Sequence, residues 1–152
     1  MKTSVAGMAV QIFILFLSII ILPIYFMSII QYYKDVNRVQ VAARNFVDYV
    51  IDNRQVSESA LAELNISLAA VSTPVSAEVK RETRVIDPAD ATNETEIKWV
   101  YTEWDEDTIW YQGDLVTVEV TQESVNMLQQ IAGVFLGTNY SNMNITLVGM
   151  VR

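Results

Sequence analysis

Apolar residues crowd the start of the chain and afterwards fall into two successive rhythms. From Met8 to Ile30 a run of 23 residues is broken mainly by Gln11 and Pro23. That is the length a helix needs to cross a bilayer. Beyond it, Val36, Val39, Ala43, Phe46 and Val50 recur at intervals of three and four, an apolar seam on one helical face. Lys34, Arg38, Arg44, Asp48 and Asp52 fall off that seam, and no Gly or Pro separates Lys34 from Asp52. The pattern predicts one helix from about Met8 to Ile51, roughly 66 Å long at the α-helical rise. Its upper half needs a surface to pack against. Docking on the chain's own domain accounts for the seam better than a coiled coil, because the pattern lasts barely two heptads.

A second, short helix is predicted from Ser57, a capping residue, through Leu64. The period then changes. Val75, Ala77, Val79, Arg81, Thr83 and Val85 alternate with Ser76, Glu78, Lys80, Glu82 and Arg84, as in a half-buried strand. Asp87 to Glu94 is expected to be a loop, and Ile97 to Trp104 a second, aromatic-rich strand. A short segment from Thr108 to Tyr111 turns at Gln112-Gly113-Asp114. Leu115 to Thr121 is the clearest strand, with Val116, Val118 and Val120 on one face. A helix from about Gln122 to Leu136 and a closing strand from Asn144 to Val151 complete the chain, with Gly137 as the helix stop. The fold class is α+β: a long N-terminal transmembrane helix continuing into a small antiparallel sheet domain. Residues 1–7 form a leader or cytoplasmic tail, 8–30 the membrane segment, and 52–152 the outer domain.

Composition narrows the function. No Asp, Glu, Lys or Arg occurs between Thr3 and Tyr33, so the 152-residue chain divides into an apolar segment and an acidic body. The net charge of −8 argues against nucleic acid, whose phosphates require clustered Lys and Arg. Cysteine and histidine are both absent. Disulfides, thiolate metal sites, the usual zinc sites and histidine-dependent nucleophilic triads therefore cannot be built. A hydrolase using two carboxylates remains formally open, but no pair stands out, and the chain reads as a non-enzyme without cofactor or metal.

The apolar run exceeds the ~7–15 residues of a secretory signal, and Ser28 to Tyr33 offers no small-x-small cleavage site. It is expected to stay attached, with Tyr25, Tyr32 and Tyr33 at the interface. Pro23 lacks a backbone donor, a defect that membrane helices tolerate. Gln11 has two readings: its amide reaches headgroups and water, or it bonds a neighbouring subunit. Glu103-Trp-Asp-Glu-Asp107 carries oxygen ligands suited to calcium but lacks the glycine and terminal glutamate of an EF-hand loop, and reads better as a solvated hairpin tip. Trp99, Tyr101, Trp104, Trp110 and Tyr111 read as cross-strand aromatic pairs rather than as a sugar platform. Asn65, Asn93, Asn139 and Asn144 stand in glycosylation-type sequons whose use depends on the host.

The order AVQIFILFLSIIILPIYF, VQVAARNFVDYVI, GDLVTVEVT, a short apolar helix and NITLVGMVR resembles the TadE-like proteins, pilin-like subunits of tight-adherence (Flp-type, type IV-like) pilus systems and related secretion machinery. The resemblance covers about two thirds of the chain and leaves residues 55 to 110 unmatched. It implies a pilin-like fold and a structural, adhesion-associated subunit of the cell surface, held in the cytoplasmic membrane with its body outside. Its partners would be membrane lipid, other pilin-like subunits of a homo-oligomer or filament, and pilus-assembly machinery. Subunit packing would run through Gln11, Pro23, Val36, Val39, Ala43, Phe46 and Val50. A peptidase in such families cuts just before the apolar run, here after Ala6 or Gly7. The family's mature chain typically has glutamate at its fifth position; Gln11 stands fifth or fourth, according to the cut. The positive-inside rule, counting Lys34, Arg38 and Arg44 against Lys2, places the body in the cytoplasm instead. The alternative function is a monomeric single-pass protein whose outer domain binds a partner or ligand.

Overall fold

The computed structural model describes residues 5–87, 96–125, 129–130, 133–134 and 143–152. Helix α1 (Val5–Asn53) is continuous, with Pro23 inside it. Its last residue is followed by Arg54 in the left-handed region (φ 55°), whose N–H donates to the Val50 carbonyl. Helix α2 (Glu58–Ala69) begins where the serine predicts: Ser57 Oγ accepts from the Ala60 N–H at 3.2 Å. Four strands follow, β1 (Val75–Asp87), β2 (Glu96–Thr102), β3 (Leu115–Gln122) and β4 (Asn144–Met150). They form an antiparallel sheet in the order β2-β1-β3-β4. The architecture is α+β.

Two compact units divide the chain: Met1–Lys34 with Val125–Ser141, and Asp35–Ser124 with Asn142–Arg152. The core of the second is built from the predicted alternation. Val116, Val118 and Val120 are fully buried on one face of β3, and Val39, Ala43, Phe46 and Val50 of α1 are buried with them. Gly149 of β4 allows a close approach of helix to sheet. A Cβ there would lie 2.5 Å from Val47 Cγ1 and 2.6 Å from Ile51 Cδ1. The link after α2 is tied to α1 twice: Ser72 Oγ donates to the buried carboxylate of Asp35, and the Arg38 guanidinium donates to the Ala70 carbonyl.

Two sequence expectations need correction or restriction. Gln122 does not begin a helix but ends β3, because its N–H bonds the Met143 carbonyl at 2.8 Å and keeps it in the sheet. Helix is present at residues 129–130 and 133–134, and the rest of that predicted helix, including its stop at Gly137, lies outside the described residues. The Asp87 to Glu94 loop lies outside them too, apart from Asp87 itself, which ends β1.

Candidate functional site

The most distinctive surface is the first half of α1. Side chains at Val10, Phe13, Leu15, Phe16, Ile19 and Phe26 are all exposed, whereas Leu17, Ile21 and Ile24 are half-buried. This helix is long and apolar enough to cross a membrane. In water such a surface would far exceed the few hundred Å² of contiguous apolar patch usual on a soluble monomer. Polar groups within it are few. Gln11 is exposed among apolar neighbours. Ser18 satisfies its hydroxyl by donating to the Ile14 carbonyl at 2.8 Å. Ser28 is buried, and its hydroxyl has no hydrogen-bond partner among the described residues. Pro23 is exposed and, lacking an N–H, leaves the carbonyl four residues earlier without its helical donor.

The residues expected to pack subunits therefore divide into two groups. Gln11 and Pro23 face outward. Val39, Ala43, Phe46 and Val50 are buried, and Val36 half-buried, in the unit that holds the sheet. That part of the seam is used within the chain. Ala6 and Gly7 fall in the opening turns of α1.

In the body, the pairing of aromatic residues differs from expectation. Trp99 stands opposite Arg84, and Tyr101 opposite Glu82, because β2 pairs with the charged strand β1. The ring pair that does form, Trp104 with Trp110 at 6.1 Å, lies beyond the strands. It belongs to a buried ionic cluster that the sequence signalled only indirectly, by placing Arg81 on the apolar parity of its strand. Arg81 Nε and a terminal guanidinium nitrogen donate to Asp114 Oδ2 at 2.9 and 2.6 Å, and the two side chains are only 6% and 4% exposed. The Tyr111 N–H donates to the same oxygen at 2.9 Å. The guanidinium lies over the rings of Trp110 at 5.6 Å and Tyr111 at 5.8 Å. Trp104 Nε1 donates to the Val79 carbonyl, whereas the buried Trp110 Nε1 has no partner among the described residues. A charge so fully paired and enclosed holds the turn before β3 in place; it presents no reactive atom to solvent.

The opposite face of the sheet is charged. Lys80 bridges Glu119 at 2.8 Å and Glu78 at 3.0 Å, with the ring of Tyr101 5.9 Å away. Hydrogen bonding to Glu119 first, and to Glu78 next, raises the Lys80 ammonium above its ordinary range. Asp105, Glu106 and Asp107 form an exposed turn in which Thr108 Oγ1 donates to Asp105 Oδ1. Among the described residues no group of three acidic side chains is placed to hold a metal ion. Comparison with family models, curated proteins and solved structures found no match for this chain.

Proposed function

We propose that this chain is a non-catalytic, pilin-like structural subunit of a tight-adherence type of pilus or secretion apparatus, anchored and packed through its N-terminal helix. One observation carries the reading: a single helix presents an uncharged, exposed apolar surface over its first half and builds the core of an α+β body with its second. Lipid and neighbouring helices are the surroundings in which the first half is stable. The resemblance in the order of segments supports the same assignment and favours a body outside the cell.

Gln11 is the residue on which the subunit reading turns. A simple tether loses nothing when leucine replaces it, whereas a packed subunit loses an interhelical hydrogen bond of about 0.6–2 kcal/mol at each contact. The cysteine-free sequence offers a clean background for crosslinking. Single cysteines placed in turn from Val10 to Phe16 in the full chain should form disulfide-linked dimers in membranes with helical periodicity. Adding Gln11→Leu should weaken that pattern while membrane abundance is kept. Gln11→Glu should preserve it, since glutamate is what the related subunits carry. Absence of dimers at every position would show a monomeric anchor and overturn the proposal.

A further inference from the structure

We infer that the open edge of β1 from Val75 to Val79 is a strand-addition site for an extended, alternately apolar and basic segment of another protein. β1 is 13 residues long, but β2 pairs only with Arg81 to Asp87, while β3 pairs with Val75 to Glu82 on the other side. Between Val75 and Lys80, therefore, one side of β1 carries no strand among the described residues.

The direction of the peptide groups along this stretch is fixed by three hydrogen bonds. In a strand the N–H and C=O of one residue point to the same side, and the side alternates along the chain. Glu123 N–H donates to the Pro74 carbonyl at 3.0 Å, so the even positions of β1 turn toward β3. Gln122 N–H donates to the Met143 carbonyl at 2.8 Å, which turns the even positions of β3 toward β4 and leaves its odd ones for β1. Trp104 Nε1 reaches the Val79 carbonyl at 3.1 Å from the other side. Val75, Ala77 and Val79 accordingly direct their backbone groups into the opening. The Trp104 indole occupies one carbonyl, and Ala77 presents both of its groups.

The opening is a slot rather than a bare edge. A groove of about 510 Å³ runs between Asn65 and Leu68 of α2 and Val75 to Ala77. A second, of about 770 Å³, continues from Glu78 to Arg81, walled by Tyr101 and Trp104. Main-chain bonds to such an edge supply affinity, and the alternating side-chain positions supply specificity. On the core-facing row an added strand would lie beside half-buried Val75, Ala77 and Val79, and would favour apolar residues. On the outer row it meets Glu78, whose side chain is 69% exposed although Lys80 bridges it. Lys80 is already held by two carboxylates, and Glu103 and Glu123 line the same grooves. The excess negative charge there selects basic residues. The chain's net charge of −8 favours a basic partner over a second acidic copy.

The test uses the full chain in detergent micelles and hydrogen exchange read by mass spectrometry. The probe is a short end-capped peptide alternating valine with lysine, and the control alternates valine with glutamate. The lysine peptide should slow exchange of the Val75, Ala77 and Val79 amides by roughly tenfold or more, as pairing does for other edge amides, and the glutamate peptide should not. Ala77→Pro removes an N–H that serves no ladder among the described residues, a position where edges tolerate proline, and should abolish the protection. Glu78→Lys, which leaves the backbone alone, should reverse the peptide preference. Equal protection by both peptides, no protection by either, or unchanged binding by both variants would overturn the inference. Protection that depends on protein concentration without any peptide would also overturn it, by showing the occupant to be a second copy.

Discussion

Replacing Asp114 by alanine tests the buried ionic cluster most directly. Three donors converge on Asp114 Oδ2: two from Arg81 and one from the Tyr111 backbone. Alanine would leave a guanidinium that is 6% exposed with no counter-charge. Removing one partner of a buried pair costs about 3–5 kcal/mol, because the remaining charge stays desolvated. The ring faces of Trp110 and Tyr111 offset only part of this, since a cation–π contact contributes about 0.5–2 kcal/mol. A domain of this size has about 5–15 kcal/mol in all, so the variant should be only marginally folded. Urea unfolding of the full chain in detergent can be followed by tryptophan emission, because Trp110 is fully buried beside Arg81. With a slope of about 1–3 kcal/mol per molar, the midpoint should fall by about 2 M. Arg81→Leu combined with Asp114→Asn removes both charges and keeps an oxygen for the Tyr111 N–H. It should recover more than half of the loss. A loss below about 1 kcal/mol for Asp114→Ala, or a double variant no better than the single, would refute the reasoning.

Gly149→Ala should destabilise by about 1–3 kcal/mol through overpacking against Val47 and Ile51. Adding Ile51→Val should restore part of that, and equal midpoints for Gly149→Ala and the parent would show that α1 can shift away from β4. Ser57→Ala should cost about 1 kcal/mol through loss of the bond to the Ala60 N–H. Ser57→Asp should retain it, and identical unfolding midpoints for parent and alanine variant would remove the cap from the account.

Periodicity made the elements legible. The 3-4 spacing from Val36 to Val50 placed the core face of α1, and alternation placed Val116, Val118 and Val120 inward, because both patterns follow from local geometry. Neighbour relations were not legible in the same way. A period of two says which face a residue occupies but not which strand lies beside it. Hence Trp99 and Tyr101, read as members of aromatic pairs, stand opposite Arg84 and Glu82. The offset that leaves Val75 to Lys80 uncovered on one side was hidden for the same reason. Arg81 on an apolar parity did mark a buried charge. Its partner, Asp114, lies 33 residues away in a turn, where nothing local distinguishes it from a solvent-facing aspartate. The outward position of Gln11 was legible only as a choice between water and a neighbour, and exposure within the single chain is compatible with both.

The point along α1 at which charge returns is also the point at which the body takes hold of it. From Thr3 to Tyr33 no side chain carries a formal charge. Asp35 is then buried, accepting from Ser72, and one turn later Arg38 donates to the Ala70 carbonyl. Both contacts reach the link between α2 and β1, so two of the first charged residues beyond the apolar run serve to fix the fold. A buried carboxylate is costly to desolvate and is retained only where hydrogen bonds compensate it. Asp35 lies just past the end of the apolar run, so the polar contacts that tie α1 to the link after α2 begin only where that run has ended. A soluble protein using α1 as an ordinary core helix would distribute polar residues along an outer face of its whole length. The first half of α1 has no such face: its polar side chains are few, Gln11, Ser18 and Ser28 among them, none is charged, and the segment is long and apolar enough to cross a membrane.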